Sequence, residues 1–231
     1  MQIDILTIFP EMFESPFSES ILKRAQDKNL VQIKIHNLRD WTTDNHRSVD
    51  DRPFEGGAGM IMRVDVVDRA LHDLKSKIKN EKLESKVILL DTKGEFYTQQ
   101  KAQILSEEKH LIFIVPHYEG IDYRVHKYLA DEAICIGPYI LTGGELPTMV
   151  VVDSIVRLLP GAINEESLRE ESFQNQQPTT EILSPKTYPL KPNIEYPQYT
   201  RPAEYKGWKV PEILLSGNHK EIEEWRRENE K

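Results

Sequence analysis

Two stretches, HYEGID at residues 117–122 and IGPYILTGGELP at residues 136–147, decide how this chain is expected to fold. Each follows a short apolar run, at 111–115 and at 133–136, so each is predicted to leave the end of a buried strand. Open α/β sheets bind ligands at such strand ends, and paired glycines let a backbone approach a ligand closely. Two such loops in one chain favour a binding site over ordinary turns.

The first two-thirds of the chain alternates predicted strands and helices. Apolar runs and apolar stripes at helical spacing predict strands at 2–8, 31–36, 86–90, 110–115 and 132–136, and helices at 18–28, 64–78, 98–107, 121–129 and 145–159. The later strand runs are nearly continuous in apolar residues, which is typical of a parallel sheet covered on both faces. The predicted fold class is therefore α/β with a mostly parallel sheet.

The composition of the chain changes after Pro160 and Gly161. A polar stretch rich in glutamate and glutamine follows, and proline then recurs often enough to exclude long helices between 174 and 211. A short helix is predicted from Asn218 to Arg227. These features predict a first domain at 1–161, a flexible linker at 162–178 and a small, mainly helical C-terminal domain at 179–231.

Composition excludes several classes of protein. The single cysteine, Cys135, excludes an internal disulfide framework and a multi-cysteine metal site. No apolar run is long enough to span a membrane, and residues 1–8 alternate like a strand rather than resembling a signal peptide. A soluble protein of the reducing cytoplasm, with no membrane partner, is expected.

The net charge of −8 argues against a general polyanion binder such as a DNA-binding protein, but it allows a local basic surface. Basic and aromatic residues, a combination that suits RNA contact, cluster near the C-terminus. They are Lys206, Lys209, His219, Lys220, Arg226 and Arg227, with Tyr199, Tyr205, Trp208 and Trp225 among them. Several glutamates share the final stretch, so a solvated amphipathic surface explains the same composition equally well.

Residues 38–62 show no sustained hydrophobic period and are predicted to form a long loop, dense in charge and glycine. Loops of this length inside a compact domain are usually functional or disordered. Gly56, Gly57 and Gly59 indicate close approach to another group, but their spacing is not that of the dinucleotide-binding fingerprint. A nucleotide-dependent oxidoreductase is therefore disfavoured.

Several motifs occur in the same order in a known family. They are IFPEMF at 8–13, HRSVDDRP at 46–53, YEGID at 118–122, LTGGELP at 141–147, Asp153-Ser154 with Arg157, YTRP at 199–202 and LLSGNH at 214–219. Over nearly its whole length the chain resembles the bacterial tRNA (guanine-N1)-methyltransferases, which modify the guanosine at position 37, on the 3′ side of the anticodon. That family belongs to the trefoil-knotted methyltransferases called SPOUT.

The resemblance implies a deep trefoil knot in the segment near residues 90–145, which general topology rules would not predict. It implies S-adenosylmethionine as the methyl donor, tRNA as the substrate and an obligate homodimer whose active sites lie at the interface. Magnesium is also implied, near Glu119 and Glu171, although no metal-ligand spacing in the sequence indicates it.

By resemblance, three loops form the donor site. They contribute Leu89, Leu90 and Gly94; then Pro116, Tyr118, Glu119 and Gly120; and then Ile136, Gly137, Pro138, Tyr139, Ile140, Leu141, Gly143 and Gly144. Backbone amides and carbonyls would bind the edges of the adenine, between apolar side chains. On the sequence alone, Ile136, Ile140 and Leu141 also fit core packing, and both roles suit the wall of a pocket.

Methyl transfer to guanine N1 needs an acceptor for the N1 proton and a group that stabilises negative charge near O6. The resemblance assigns the first role to Glu171, where the family has an aspartate before a Ser-Phe pair, and the second to Arg157. It assigns binding of the flipped guanine to Asp50, Gly59, Arg157 and Ser172. Locally, Arg157 is also explained by an ion pair with Asp153, and Glu171 by simple solvation.

The chain departs from the family pattern at several positions. Pro116 stands where the family usually has glycine, Pro138 where it usually has aspartate, and Asp91-Thr92 where it usually has Ser-Pro. Proline has no backbone N–H, so neither Pro116 nor Pro138 can donate one to the methyl donor. Two alternatives therefore stay open: a related knotted RNA methyltransferase with another target, and a tRNA-binding protein that has lost catalysis.

Overall fold

A computed structural model describes residues 1–54, 59–79, 84–164, 168, 197, 199–200, 203–206 and 208–229. Its strands, in chain order, are β1 (Gln2–Thr7), β2 (Gln32–Asn37), β3 (Asp50–Asp51), β4 (Ile61–Met62), β5 (Lys86–Phe96), β6 (His110–Ile114), β7 (Glu132–Cys135), β8 (Glu204–Tyr205) and β9 (Trp208–Lys209). Its α-helices are α1 (Glu14–Phe17), α2 (Ser20–Asp27), α3 (Val64–Lys79), α4 (Gln99–Ser106), α5 (Tyr123–Tyr128), α6 (Glu145–Val156), α7 (Glu212–Leu215) and α8 (His219–Asn229). Single 3₁₀ turns lie at Pro10–Phe13 and Leu38–Trp41.

Parallel strands form the main sheet, in the order β2-β1-β6-β5-β7. The predicted α/β fold with a mostly parallel sheet is confirmed, and the predicted strands and helices between residues 2 and 159 lie close to their predicted bounds, except for β5. The segment 38–62, predicted to be a loop throughout, contains the short antiparallel pair of β3 and β4. Because parallel strands run in the same direction, the loops that leave β5, β6 and β7 lie along one edge of the sheet.

Helices cover both faces of the sheet because its strands are apolar on both faces. On β6, Leu111 and Phe113 belong to a core cluster with residues of α2, α4 and α6. The alternate residues Ile112 and Ile114 belong to the opposite cluster, which contains the apolar stripe of α3. All four side chains are fully buried, as expected for a central strand of a parallel sheet. This packing fixes the strand ends from which the site loops start.

Strand β5 is longer than the sequence predicts, because a bulge interrupts it. Leu90 and Glu95 both pair with Ile134 on β7, so residues 91–94 loop out of the ladder. The strand then resumes and ends at Phe96 rather than at Leu90. The bulge therefore adds a third loop to the edge of the sheet where the loops after β6 and β7 begin.

Two residues hold the bulge in shape. The carboxylate of Asp91 accepts a hydrogen bond from the backbone N–H of Lys93 at 2.8 Å, as in many tight turns. Gly94 lies against the backbone of β7, where a Cβ would be 2.4 Å from the carbonyl carbon of Ala133. The return of the chain to the sheet therefore requires glycine at position 94.

After β7 the chain returns to the end of β6. The backbone N–H of Gly144 donates to the carbonyl of Pro116 at 2.7 Å, and residues of α6 then pack into the sheet core. This return is compatible with the trefoil knot that the resemblance implies, and the knot itself stays a prediction.

The C-terminal part contains an antiparallel pairing of β8 with β9, followed by α7 and α8. The predicted limits of the domains and linker stay predictions, and most of the linker, with Glu171 and Ser172, lies outside the described residues. Across the ranges given above, no helix is long and apolar enough to cross a membrane.

Candidate active site

A cavity of about 320 Å³ opens at the edge of the sheet where β5, β6 and β7 end. Its walls come from the bulge of β5, the loop 116–120 and the segment 134–144, so three loops that are far apart in sequence meet here. The volume lies in the range of small-molecule sites, and the walls combine apolar and polar side chains. A ligand the size of a nucleoside fits such a space.

Most of the residues predicted to hold the donor line this cavity. They are Leu90, Pro116, Tyr118, Glu119, Gly120, Ile136, Gly137, Tyr139, Ile140, Leu141, Gly143 and Gly144. Leu89, Gly94 and Pro138 are not among the lining residues. Leu89 is fully buried in the core on the α3 side of the sheet, and Gly94 packs against β7. Pro138 is exposed, and it lies outside the wall formed by its neighbours.

Other lining residues were not among those predicted to hold the donor. They are Asp91, Thr92, Lys93, His117, Ile134, Cys135, Thr142 and Pro147. His117 and Thr142 belong to the stretches 117–122 and 136–147, which were predicted to form a binding site, so their position in the chain could have identified them. Asp91 and Thr92 were noted as a departure from the family pattern, but the bulge that brings residues 91–93 to the cavity depends on pairing with β7 and could not be predicted.

The apolar side chains of the third wall are largely outside the core. Ile140 is 83% exposed and Leu141 is 40% exposed, whereas Ile136 packs partly against the core. Core packing is therefore excluded for Ile140 and Leu141, and Ile136 combines both roles. Exposed apolar side chains at a cavity gain free energy when they cover a flat apolar group such as a nucleobase.

The glycine-rich loop reaches the cavity through Glu119. Gly59 has a φ of +81°, and a Cβ at this position would lie 2.3 Å from Cγ of Glu119. The backbone N–H of Met62 donates to the carbonyl of Gly120 at 3.0 Å, so the two loops run side by side. Asp50 pairs with Met62 between β3 and β4, so it lies next to the contact between these two loops. Only glycine at position 59 allows this approach.

A buried carboxylate lies beside the cavity. Glu145, in the first turn of α6, is only 2% exposed. Its Oε2 is 3.2 Å from Nδ1 of His117, and its Oε1 accepts a hydrogen bond from the hydroxyl of Thr7 at 3.5 Å. The N-terminus of a helix also favours a negative charge. A Cβ on Gly143 would lie 2.2 Å from Oε2 of Glu145 and 2.4 Å from Nδ1 of His117, so a larger residue at this position would displace the pair.

A second carboxylate–histidine pair supports the bulge. Oδ2 of Asp91 is 3.0 Å from Nε2 of His126, and both side chains are almost buried. The imidazole of His126 stacks on the ring of Tyr123, with 5.2 Å between the ring centroids. Because a carboxylate with little exposure needs such partners, this pair fixes the bulge that forms the first wall.

The family model described as tRNA (Guanine-1)-methyltransferase TrmD matches residues 1–231 of the chain. The chain belongs to this family. A Dictyoglomus turgidum protein called tRNA (guanine-N(1)-)-methyltransferase is 51% identical over 228 residues, which cover 98% of this chain and 84% of that protein. Proteins of the same name from Bacillus cereus and Bacillus anthracis are 48% identical over 227 residues, covering 98% of this chain and 85% of theirs.

Membership in this methyltransferase family implies S-adenosylmethionine as the methyl donor and tRNA as the substrate. The cavity has the size of a small-molecule site and an apolar wall at Ile140 and Leu141. Asp91 and Glu119 add carboxylates to the lining, which suit a ligand that carries a sulfonium and an ammonium.

Arg157 lies at the opposite end of α6 from the cavity. The helix starts beside the cavity at Glu145 and runs to Val156, a length of about 18 Å at the usual rise per residue. Arg157 is not among the residues that line the cavity. Within the described part of the chain, no group of three or more His, Cys, Asp or Glu side chains could hold a metal ion.

Proposed function

We propose that this protein transfers the methyl group of S-adenosylmethionine to N1 of guanosine 37 in tRNA. The observation that carries the proposal is the cavity at the ends of β5, β6 and β7, in a chain that belongs to a family of tRNA (guanine-N1)-methyltransferases. Ile140 and Leu141 cover the adenine, and the backbone of the segment 136–141 hydrogen-bonds to its edges.

The reaction breaks the bond between the methyl carbon and sulfur and forms a bond between that carbon and guanine N1. The carboxylate of Glu171 accepts the proton that leaves N1. The guanidinium of Arg157 stabilises the negative charge that develops toward O6. Asp50, Gly59 and Ser172 hold the extruded guanine. A sulfonium is already a good leaving group, so the main contribution of the protein is alignment of the reacting atoms.

A homodimer with shared active sites belongs to the proposal. The length of α6, about 18 Å, is more than an arginine side chain can bridge back to the cavity of its own subunit. Leu146 and Val150, one helical turn apart on α6, are each 52% exposed. Exposed apolar side chains at helical spacing mark a protein contact surface. A second copy packed on this surface would bring its own Arg157 to the cavity.

The C-terminal residues are proposed to bind the tRNA. The rings of Tyr199 and Trp225 lie 6.3 Å apart, and α8 carries Arg226 and Arg227 in its last turn. Rings and basic side chains in combination are typical of RNA contact.

The proposed organisation is a donor-binding domain at 1–161, a linker at 162–178 that carries Glu171, and a tRNA-binding domain at 179–231. The proposed location is the cytoplasm, and magnesium near Glu119 and Glu171 is a further part of the proposal.

Methyl incorporation tests the proposed function. The purified protein is incubated with S-adenosylmethionine carrying a tritiated methyl group and with two tRNA transcripts that differ only in having guanosine or adenosine at position 37. Label is expected only in the first transcript, and mass spectrometry of its nucleosides should identify 1-methylguanosine. Label in another nucleoside would indicate a knotted methyltransferase with a different target. Binding of tRNA without label would indicate a protein that has lost catalysis.

A further inference from the structure

Helix α5 exposes basic and aromatic side chains beside the donor cavity. Its sequence, YRVHKY at 123–128, contains an arginine, a lysine and two tyrosines but no acidic residue. Val125 packs into the core on the α3 side of the sheet, which leaves the other side of the helix exposed. The exposed side chains, called here the α5 face, are Tyr123, Arg124, Lys127 and Tyr128.

Two connections place the α5 face next to the cavity. The helix begins at Tyr123, three residues after the loop 116–120 that lines the cavity. His126 lies 3.0 Å from Asp91 of the cavity wall, and its ring stacks on the ring of Tyr123. The methyl donor and the target base must meet at the cavity, so the RNA on either side of that base passes close to its rim. The α5 face lies at this rim.

Lys127 is the charged group of the α5 face that has no acidic partner. The carboxylates that flank α5 in the chain are already engaged. Asp122 accepts hydrogen bonds from the guanidinium of Arg124 at 2.6 and 2.9 Å, and Asp131 accepts one from a backbone N–H of β5 at 2.8 Å. Nζ of Lys127 lies 5.1 Å from the ring centroid of Tyr128, and it forms no ion pair within the described part of the chain. Its charge is therefore available to an anionic partner.

The surroundings favour RNA as the partner of the α5 face. The chain has a net charge of −8, so phosphates bind it only where positive charge is concentrated locally. In α8 the lysine and two arginines share the helix with four glutamates, whereas α5 has no acidic residue. Tyr123 is 66% exposed and Tyr128 is 68% exposed. Exposed rings next to basic side chains suit the unstacked bases of a single-stranded loop, such as the anticodon loop.

We propose that the α5 face binds the anticodon arm of the tRNA beside the target guanosine, with Lys127 on a phosphate and Tyr128 stacked on an exposed base. The inference rests on the proposed function, because it takes tRNA as the substrate. It adds a contact surface on the donor-binding domain to the C-terminal surface proposed above. Affinity for tRNA then depends on both parts of the chain.

Lys127→Gln and Tyr128→Leu test the two contacts separately. Fluorescence anisotropy with a tRNA transcript that has guanosine 37 gives the dissociation constant at several salt concentrations. Lys127→Gln is expected to raise this constant by about fivefold and to reduce the salt slope by about one unit. Tyr128→Leu should raise it by about fivefold with an unchanged salt slope. Lys109→Gln is the matched control, at an exposed position before β6 on the opposite edge of the sheet, and should bind tRNA normally.

Donor binding shows whether the variants stay folded. Neither Lys127 nor Tyr128 lines the cavity, so calorimetry with S-adenosylhomocysteine should give the same affinity as for the unsubstituted protein. Lys127→Gln with the tRNA affinity and salt slope of Lys109→Gln would overturn the inference and leave the proposed function intact. Failure of the unsubstituted protein to methylate this tRNA would instead overturn the proposed function.

An iron chelate attached to Lys127→Cys locates the RNA on the α5 face. The native thiol of Cys135 is 7% exposed, so the thiol at position 127 is labelled selectively. At saturating protein, hydroxyl radicals released at the iron are expected to cleave the backbone of the anticodon arm. Cleavage confined to the other arms of the tRNA would overturn the inference.

Discussion

At the scale of single residues, comparing Gly59 with Gly161 distinguishes the effect of backbone strain from the effect of a close contact between loops. Gly59 and Gly161 have nearly the same φ, +81° and +83°, in the left-handed region that strains other residues. A Cβ on Gly59 would lie 2.3 Å from Cγ of Glu119, whereas the nearest atom to a Cβ on Gly161 belongs to Leu30, at 3.9 Å. Alanine at either position would therefore strain the backbone, but only alanine at position 59 would also clash with a neighbouring side chain.

Gly59→Ala and Gly161→Ala are each expected to lower the free energy of unfolding by about 1–2 kcal/mol, measured by urea titration. Only Gly59→Ala pushes Glu119 out of place at the cavity, so its kcat/KM for tRNA methylation should fall by about tenfold or more. Equal losses of activity in the two variants would contradict a role for this contact in the site.

Glu171→Gln is expected to abolish methylation, because an amide cannot accept the N1 proton. Binding of S-adenosylhomocysteine should be unchanged, since the donor loops are untouched. Glu170→Gln is the matched control and should stay active, and Glu171→Asp, which restores the family residue, should keep activity within about tenfold. Single-turnover assays and calorimetry measure the two effects, and normal turnover in Glu171→Gln would refute its assignment as the base.

At the scale of elements, the sequence predicts those strands and helices whose burial produces a pattern of apolar residues along the chain. β6 is recognisable because both of its faces are buried, so the four residues after His110 are all apolar. The bulge at 91–94 is not recognisable, because pairing with β7 creates it. The bond between His117 and Glu145 joins two loops that the motifs identify separately, and nothing in either motif states that they touch. Motifs therefore predicted most of the cavity wall, and the side chains that tie its loops together required the structure.

The sheet contains a buried charge that the sequence did not reveal. Asp4 on β1 lies 2.7 Å from Nε2 of His110 on β6 and 2.5 Å from Nε2 of His36 on β2. Burial raises the pKa of Asp4, but hydrogen bonds from His110 and His36 outweigh burial and hold the pKa well below its usual value. The unfolded chain therefore takes up this proton at a higher pH than the folded protein does. The resulting stabilisation is complete above about pH 5 and is lost progressively as the pH falls from the usual pKa, about 3.9, towards and through the lower pKa of the folded protein.

Asp4→Asn is expected to lower the free energy of unfolding at pH 7 by about 3 kcal/mol, because it leaves two histidines without their buried carboxylate. The variant should also lose less stability than the unsubstituted protein between about pH 5 and about pH 3. Urea titrations at several pH values measure both effects. Asp27→Asn, which removes an exposed pair with Lys23 at 3.3 Å, should change stability by about 0.5 kcal/mol at most. Parallel pH curves for Asp4→Asn and the unsubstituted protein would contradict this account of Asp4.

At the scale of the whole molecule, α6 separates the donor cavity from Arg157, the residue proposed to act on the guanine. Its first turn borders the donor cavity, and Arg157 follows its last turn about 18 Å away. If Arg157 acts on the guanine, the proposed homodimer would supply it from the partner subunit. The exposed Leu146 and Val150 on the same helix give that partner an apolar surface to pack on. Catalysis and dimerisation should therefore be lost together when this surface is made polar.

Mixing two inactive variants tests the shared site directly. In Gly144→Ala the new Cβ would lie 2.7 Å from Cδ of Pro116 and disturb the donor wall, and Arg157→Ala removes the guanidinium. After subunit exchange, a mixed dimer has one complete site if Arg157 serves the partner's cavity, so about a quarter of full activity should return. If Arg157 serves its own cavity, no mixed dimer has a complete site and the mixture stays inactive. Adding Val150→Asp to both chains should abolish the recovery, and sedimentation should then show monomers, because the charge prevents packing of the apolar surface.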